Sequence, residues 1–425
     1  MELQTAKGVR DIPPEEKIIK NQIVNTLVTV FELYGFDPLE TPLLERYETL
    51  AAKFAAGEAS DALKETFKLK DQGNRDLGLR FDLTVPLARF MAMNPMLKMP
   101  FKRYEVGPVF RDGPIKAGSV RQFWQCDIDS IGSTSLLADA EILSVIGAVF
   151  EALKLEVVIK VNNRQLLSGI LAQCNIADQE QAIITIDKLD KIGPQGVSAE
   201  LQQKGFSSAQ IKAIFSLIRP SISLAELKPK LQNAAALQGL AELEELYSYT
   251  APLGIKNIIF DVSLARGLAY YTGTVYEVFL KDNSFTSSLV AGGRWDNMIG
   301  KFGGGNREVP AVGAAFGIDR IMMALSLKRK DSIKKTQTLV YVIPLNTVEQ
   351  SLKIAQELRK KGLRTSVSLG KKGLSKNLEY AASLKIKYTL IIGEDELKQQ
   401  KVLLRDLESG TEELLTVKGV IRKLK

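Results

Sequence analysis

The fold is decided by two long strand-like segments, FKRYEVGPVFR at residues 101–111 and QFWQCDIDSI at residues 122–131. They flank a short loop rich in Gly, Pro and Lys, and two such runs around a turn predict a β-hairpin. Side chains alternate along a strand, so one face of the return strand carries an aromatic ring, an amide and two carboxylates. These are Phe123, Gln125, Asp127 and Asp129. We therefore predict a long hairpin with a polar face and a basic tip.

Shorter strand patterns lie on both sides of a block of helical periodicity. The predicted strands are residues 66–70, 77–81, 257–262, 274–280 and 287–291. Between them, residues from about 166 to 250 are rich in Ala, Leu, Gln and Lys with a helical period, and an apolar helix is predicted over 314–327. This order predicts an α+β domain with an antiparallel sheet, interrupted by a helical insertion.

The last quarter of the chain has a different pattern. Residues 328–338 are a polar stretch typical of a linker. After it, strand and helix patterns alternate over 339–343, 347–361, 364–367, 374–384 and 388–392, which predicts a small α/β domain with parallel strands. The predicted organisation is residues 1–327, a linker at 328–338, and a second domain at 339–425.

Basic charge is concentrated in this second domain. The chain has 425 residues and a net charge of +8, but residues 328–425 hold 22 Lys and Arg against 11 Asp and Glu. The preceding residues carry a small negative net charge. A basic domain on a near-neutral body favours nucleic-acid binding, although a solvated lysine-rich surface is the alternative.

The sequence also indicates the cellular compartment in which the protein is expected. The first residues lack an apolar signal stretch, and no run approaches the about 18 apolar residues of a membrane span. The two isolated cysteines, Cys126 and Cys174, form no disulfide framework. We expect a cytoplasmic protein that does not bind a membrane.

The chain contains no histidine. This excludes Ser-His-Asp and Cys-His catalytic sites, His-ligated zinc and imidazole proton shuttles. The remaining chemistry must use carboxylates, tyrosines and fixed cations. Such groups suit phosphoryl or nucleotidyl transfer, in which positioning and electrostatics supply most of the catalysis.

Four segments combine arginines or acids with small residues beside a strand end. They are residues 80–84, the hairpin segments 107–113 and 121–129, residues 263–273, and residues 313–320. Each also has a plain structural interpretation: a helix cap, a solvated strand face, a Gly-rich turn, or close helix packing. Arg320 favours function, because a fixed charge at the start of an apolar helix needs an anionic partner.

Taken in order, these segments resemble the class II aminoacyl-tRNA synthetases, specifically the histidyl-tRNA synthetase family. Residues 34–42, 110–129 and 317–320 are similar to the three motifs of the class, the first of which forms the dimer interface. The stretch LARGLAYY at residues 264–271 resembles a block of the histidine enzymes that their class II relatives lack. The resemblance covers nearly the whole chain and implies a C-terminal α/β anticodon-binding domain.

The resemblance implies a two-step reaction in which L-histidine and ATP form histidyl-adenylate, and the histidyl group then passes to tRNA(His). Arg111 and Arg266 would be the catalytic cations at the α-phosphate, and both would also contact the histidine. The other implied ATP contacts are Phe123 on adenine and Arg320 on the γ-phosphate. The implied contacts to the histidine α-amino group are Asp82, Thr84 and Gln125. The implied contacts to the imidazole ring are Asp129, Tyr270 and Tyr271.

The same resemblance implies the partners. ATP is a substrate that carries Mg²⁺, and no metal bound by the protein itself is predicted. The chain would act as a homodimer, with no role in DNA binding. One departure from the family pattern concerns the depth of the pocket, where Asp129 stands in place of a usual longer Glu. Another is Trp295, which replaces a usual Tyr.

Two alternatives remain open at this point. One is a non-catalytic paralogue, the regulatory subunit of ATP phosphoribosyltransferase, which shares the body of the protein but lacks the C-terminal domain. The other is a class II synthetase for a different amino acid. Asp129 with Tyr271 argues for histidine, because a pocket that hydrogen-bonds both imidazole nitrogens rejects apolar analogues strongly.

Overall fold

The computed structural model describes residues 2–52, 64–115, 120–219, 222–265, 270–303, 308–328, 334–370 and 373–425. The chain divides into two compact units. One contains Met1–Asp11 and Gln22–Arg329, and the other contains Ile12–Asn21 and Lys330–Lys425. The boundaries predicted from the sequence, at residues 327 and 339, stay a prediction.

The strands of the larger unit lie on both sides of a helical block. They are β1 (Asp37–Pro38), β2 (Leu44–Arg46), β3 (Lys68–Lys70), β4 (Asp76–Leu79), β5 (Phe101–Phe110), β6 (Gln122–Ile131), β7 (Val157–Asn163), β8 (Ile258–Phe260), β9 (Thr274–Leu280), β10 (Val290–Arg294) and β11 (Ala311–Gly317).

Most helices before residue 329 follow the hairpin. They are α1 (Pro14–Leu33), α2 (Tyr47–Ala52), α3 (Thr84–Met93), α4 (Leu136–Ala152), α5 (Arg164–Gln173), α6 (Gln179–Ile186), α7 (Leu189–Gln203), α8 (Ser208–Leu217), α9 (Leu224–Leu227), a 3₁₀ turn at Lys228–Lys230, α10 (Ala234–Thr250), α11 (Met298–Phe302) and α12 (Ile318–Lys328). The block from α5 to α10 is the predicted helical insertion.

An eight-stranded sheet forms the centre of this unit, in the order β1-β5-β6-β11-β10-β9-β7-β8. The six central strands pair antiparallel, and each edge strand adds one parallel pair. The predicted α+β fold with an antiparallel sheet is therefore confirmed. A separate three-stranded sheet has the order β2-β4-β3.

One face of the central sheet is apolar. Cys126 and Ile128 of β6 are fully buried there, and α4 packs over β6 and β11. The ring of Phe316 stacks on Phe150 with centroids 6.4 Å apart and contacts Phe31 at 5.3 Å. This aromatic core leaves the opposite face of β6 and β11 for polar groups.

The helix predicted over residues 314–327 is wrong in its first part. Residues Ala311–Gly317 form strand β11, and α12 begins only at Ile318. A short run of Gly, Ala and Val between two strands is buried on both faces, so periodicity does not distinguish it from a buried helix. The strand predicted over 287–291 likewise begins later, at Val290.

The smaller unit contains a five-stranded sheet, in the order β13-β12-β14-β15-β16. The strands are β12 (Val340–Pro344), β13 (Thr365–Val367), β14 (Tyr388–Ile392), β15 (Val402–Asp406) and β16 (Glu412–Leu415), and the helices are α13 (Val348–Lys360), α14 (Leu374–Ser383), α15 (Glu394–Lys398) and α16 (Val417–Leu424).

The parallel pairs of β12 with β13 and β14 confirm the predicted α/β fold of this unit. Helices α13 and α16 pack on one face of the sheet and α14 packs on the other. The antiparallel strands β15 and β16 extend the sheet beyond the predicted pattern.

Candidate active site

The hairpin β5–β6 supplies the base of a polar cleft. Its ten residue pairs run without a break from Phe101–Ile131 to Phe110–Gln122. Because the register is regular, Gln125, Asp127 and Asp129 share the face away from the aromatic core. This agrees with the alternation predicted from the sequence.

Strand β11 leaves room for these polar side chains. Ala315 lies beside Asp127 and Gly313 lies beside Asp129. A Cβ atom at position 313 would overlap Oδ1 of Asp129. The small residues of β11 therefore form a floor over which the longer side chains of β6 extend.

A single cleft of about 440 Å³ contains nine of the ten site residues predicted from the sequence. They are Asp82, Thr84, Arg111, Phe123, Gln125, Asp129, Tyr270, Tyr271 and Arg320. The volume is in the range of sites for small molecules. The tenth residue, Arg266, lies outside the described residues, so its role stays a prediction.

Arg111 lies between two aromatic rings at the end of β5. Its guanidinium carbon is 4.2 Å from the ring centroid of Phe81 and 4.9 Å from that of Phe123. Its Nε donates to the Phe81 carbonyl oxygen at 3.5 Å. Burial lowers the pKa of Arg111 and is the largest influence on it. The negative charge of Asp82 raises this pKa, and the positive charge of Arg320 lowers it further. Two cations thus share the cleft, which favours an anionic ligand such as a phosphate or carboxylate.

Arg320 is held in place at the start of α12. Its Nη1 donates to the Ser288 carbonyl oxygen at 2.9 Å and lies 3.4 Å from the Ser288 hydroxyl. The preceding residue, Asp319, accepts a hydrogen bond from the Trp124 backbone N–H at 2.8 Å. These contacts tie the start of α12 to β6 and to the segment before β10.

Asp82 and Thr84 lie at the start of α3. The Asp82 carboxylate accepts a hydrogen bond from the Val85 backbone N–H at 2.9 Å, which fixes its position as a helix cap does. On the far side of the cleft, the rings of Tyr270 and Tyr271 pack with centroids 4.4 Å apart. The Tyr270 hydroxyl donates to that of Tyr271 at 3.3 Å.

Beneath the cleft, Asp129 belongs to a buried charge cluster. Its Oδ2 lies 2.7 Å from Arg103 Nη2, and Trp295 donates a hydrogen bond to the same carboxylate. The Arg103 guanidinium also approaches Glu105 at 3.7 Å, and Arg80 pairs with Glu105 at 2.7 Å. Burial raises the pKa of Asp129 to about 7, although Arg103 and Trp295 lower it.

Several contributors to the cleft were not predicted from the sequence. They are Glu65, Ser288, Trp295 and Asp319 in its wall and Arg103 beneath it. Their positions depend on tertiary contacts between distant segments. Asp127 had a sequence signal without an assigned role, since alternation already placed it on the polar face, and Asp319 lay within the motif at residues 317–320.

Two family models match the chain, "Histidyl-tRNA synthetase" over residues 8–321 and "Anticodon binding domain" over residues 339–425. The chain belongs to the histidyl-tRNA synthetase family. This confirms the family predicted from the motifs, and with it an aminoacyl-tRNA ligase. The class uses ATP, and the second match agrees with a tRNA substrate.

Relatives of the histidyl-tRNA synthetase family match over the full length. "Histidine--tRNA ligase 1" of Bacillus cereus is 44% identical over 430 residues and covers all of both chains. A protein of the same name from a second Bacillus cereus strain is 46% identical, over 97% of this chain and 95% of its own.

Solved structures of the family show the same fold. Histidyl-tRNA synthetase from Nostoc sp. superposes with a TM-score of 0.87 at 32% identity, over all of both chains. A Bacillus halodurans protein described as an ATP phosphoribosyltransferase regulatory subunit/histidyl-tRNA synthetase has a TM-score of 0.76 and covers 92% of this chain and 99% of its own. Its identity of 22% supports a common fold alone. Among the described helices, none combines the length and apolar character needed to cross a bilayer.

Proposed function

We propose that this chain is a histidine–tRNA ligase, which activates L-histidine with ATP to histidyl-adenylate and transfers the histidyl group to tRNA(His). The observation that carries the proposal is the common cleft of Arg111, Arg320, the acids of β6 and the tyrosine pair. The cleft contains cations as well as acidic and aromatic groups. A nucleotide phosphate is complementary to the cations, and an amino acid with a polar ring is complementary to the acidic and aromatic groups.

In this proposal the arginines act on the phosphates. Attack of a carboxylate on the α-phosphate brings two anions together, so Arg111 and Arg266 would neutralise the repulsion and stabilise the transition-state charge. Arg320 would bind the γ-phosphate, and Phe123, which lies against Arg111, would stack on adenine. Mg²⁺ would enter with ATP as part of the substrate.

The remaining predicted residues would bind the amino acid. Asp82, Thr84 and Gln125 would accept hydrogen bonds from the α-amino group. Asp129 and the hydroxyls of Tyr270 and Tyr271 would bond the two imidazole nitrogens. The buried pair with Arg103 supports this role for Asp129, because it fixes the carboxylate at the floor of the cleft.

The proposal extends to the organisation of the protein. Residues 1–327 would form the catalytic domain, 328–338 a linker, and 339–425 the anticodon-binding domain. The enzyme would be a homodimer that works in the cytoplasm. A regulatory paralogue is less consistent with this chain, because the sequence retains both the C-terminal domain and the segment around Arg266.

The test is pyrophosphate exchange with each of the twenty amino acids and ATP, without tRNA. We expect exchange that depends on L-histidine alone. Exchange with another amino acid would make the chain a different class II synthetase. No exchange with any of the twenty would favour a non-catalytic binding protein.

A further inference from the structure

Three hydrogen-bond acceptors lie in a row on the cleft face of β6. Gln125 Oε1, Asp127 Oδ1 and Asp129 Oδ2 are buried, and none has a hydrogen-bond donor among the residues that the structure describes. Asp129 Oδ2 is close to Arg103, but that ion pair lacks hydrogen-bond geometry. Because buried polar groups in folded proteins are nearly always hydrogen-bonded, an unfilled row of acceptors indicates a ligand that brings donors.

Asp127 is the member of this row without an assigned role. It lines the cleft while only 2% of its surface is exposed. Within the described ranges, no Lys or Arg side chain forms an ion pair with it, since Arg80 pairs with Glu105 and Arg103 with Asp129. Its neighbours across the sheet are Glu105 and Ala315, one acidic and one uncharged.

Among the described residues, the floor of the cleft has more acids than cations. Asp82, Glu105, Asp127 and Asp129 lie there with two buried arginines, Arg80 and Arg103, and Arg111 acts on Asp82 from the wall of the cleft. Burial raises the pKa of Asp127 well above its usual value, and although Arg103 lowers this pKa, the charges of Asp129, Asp82 and Glu105 raise it further. A cationic ligand group at this place would supply the missing positive charge.

We propose that Asp127 binds the α-ammonium group of the substrate amino acid, together with Asp82 and Gln125. This inference rests on the proposed function and adds a specificity-determining residue to it. An ammonium group has three N–H donors and no acceptor, so three acceptors around it match its chemistry. Asp129 is less suited to this task, because the nearby charge of Arg103 already compensates its charge and Trp295 donates a hydrogen bond to its carboxylate.

The position of Asp127 along β6 supports the ammonium group over the imidazole ring. Asp127 lies between Gln125 and Asp129 on the same face, and the charges of Asp129 and then Asp82 act on it. Asp129 is already paired with Arg103, whereas Gln125 and Asp82 are assigned to the α-amino end of the substrate. Asp127 would thus supply a second carboxylate, besides Asp82, to the ammonium group. The neutral amide of Gln125 and the hydroxyl of Thr84 carry no negative charge and cannot take its place.

The experiment measures binding of three ligands to the full-length protein by calorimetry. L-histidine and L-histidinol both carry the ammonium group and the ring, whereas 3-(imidazol-4-yl)propionate carries the ring without the ammonium group. We expect Asp127→Asn to weaken binding of the first two by about 30-fold or more. Binding of the propionate should change by less than about 3-fold.

Asp129→Asn is the matched control, because it makes the same chemical change two residues along the strand. It should weaken all three ligands, since all three carry the ring. If Asp127→Asn weakens the three ligands equally, or weakens none, the proposal is wrong. Should the Asn variant unfold, Asp127→Ser provides a second neutral replacement for the same comparison.

A failure of the proposed function gives a different result. In that case the wild type binds no L-histidine but binds another amino acid. The comparison is then repeated with that amino acid and its deamino analogue. Loss of selectivity for the ammonium form in Asp127→Asn would still support the role of Asp127, and unchanged selectivity would overturn it.

Discussion

Asp129 and Arg103 form a buried ion pair across strands β6 and β5, with Asp129 Oδ2 2.7 Å from Arg103 Nη2. Arg103 is completely buried and also donates to the Leu83 carbonyl oxygen at 3.2 Å. Through these two contacts it connects the floor of the cleft to the segment that leads into α3. The pair therefore connects β6 with the start of α3, the two elements that carry the residues Gln125, Asp129, Asp82 and Thr84 assigned to the amino acid.

Removal of the Arg103 charge should destabilise the protein. We expect Arg103→Met to lower the free energy of unfolding by about 3–5 kcal/mol, because Asp129 would be left as a buried charge without its partner. Urea denaturation measures this change. The double variant Arg103→Met/Asp129→Asn should recover part of the loss, and an unchanged unfolding midpoint in the single variant would contradict the prediction.

The raised pKa of Asp129 predicts a pH dependence of stability. The folded protein holds this proton up to about pH 7, whereas an unfolded Asp releases it near its usual value of 3.8. Between these values the folded state binds more protons, so the contribution of Asp129 to stability decreases as pH rises. Asp129→Asn removes this dependence.

Thermal unfolding at pH 5 and pH 8 tests this sign. The stability of Asp129→Asn relative to the wild type should be higher at pH 8 than at pH 5. Glu349→Gln, a change of an exposed acid in α13, serves as the control and should not shift in this way. If Asp129→Asn is less stable relative to the wild type at pH 8 than at pH 5, the raised pKa of Asp129 is contradicted.

Gly313→Ala should impair histidine activation. The added Cβ would overlap Oδ1 of Asp129 and displace the carboxylate from the floor of the cleft. We expect the KM for L-histidine in pyrophosphate exchange to rise by about tenfold or more, the effect of losing roughly 1.4 kcal/mol of binding. The KM for ATP should change much less.

Gly147→Ala provides a matched glycine control in the same domain. Position 147 lies within α4, and a Cβ there would meet no atom within 4 Å. This variant should keep normal kinetics and gain about 0.5–1 kcal/mol of stability, because glycine is unfavourable inside a helix. Equal KM values for the two alanine variants would show that the floor tolerates the extra carbon.

Arg266→Ala should abolish most histidine-dependent pyrophosphate exchange. Loss of one preorganised contact to a developing charge typically reduces the rate by about 10²–10³-fold. Arg219→Ala, which changes an exposed arginine, should retain wild-type exchange. Near-normal exchange in Arg266→Ala, with an unchanged unfolding temperature, would remove Arg266 from the mechanism.

Aminoacylation should depend on salt more strongly than adenylate formation. Residues 328–425 have a net charge of +11, and phosphate contacts release counterions when tRNA binds. The KM for tRNA should therefore rise steeply with KCl concentration while the KM for histidine changes little. A flat response for tRNA would argue against the basic domain as its contact surface.

The strands that were predicted best have clear boundaries in the sequence. The hairpin β5–β6 and the strand β14 have nearly the predicted ends. One face of β6 is polar, and β14 is a short apolar run that ends before Gly393. Strand β11 was predicted as helix, since small residues buried on both faces show no alternation. The hairpin β15–β16 carries mixed polar and apolar residues and was missed.

Nine of the ten residues predicted for the site line one cleft, and their roles stay predictions. Its arginines, acids and tyrosines occur in short motifs that a single sequence displays. Residues that act through tertiary contact were missed, such as Arg103, whose partner Asp129 lies on the neighbouring strand. Nothing in the sequence near Arg103 distinguishes it from an exposed arginine on a strand, so its complete burial could be learned only from the structure.

The glycine beside Asp129 limits how this enzyme could acquire a broader choice of amino acids. Gly313 has no side chain to shorten, and its backbone carbonyl already accepts a hydrogen bond from the Tyr276 hydroxyl at 2.6 Å. Space for a bulkier substrate ring would have to come from trimming Tyr271 or Trp295 instead. Libraries for incorporating unnatural histidine analogues should accordingly vary these two aromatic positions and keep the strand beneath them fixed.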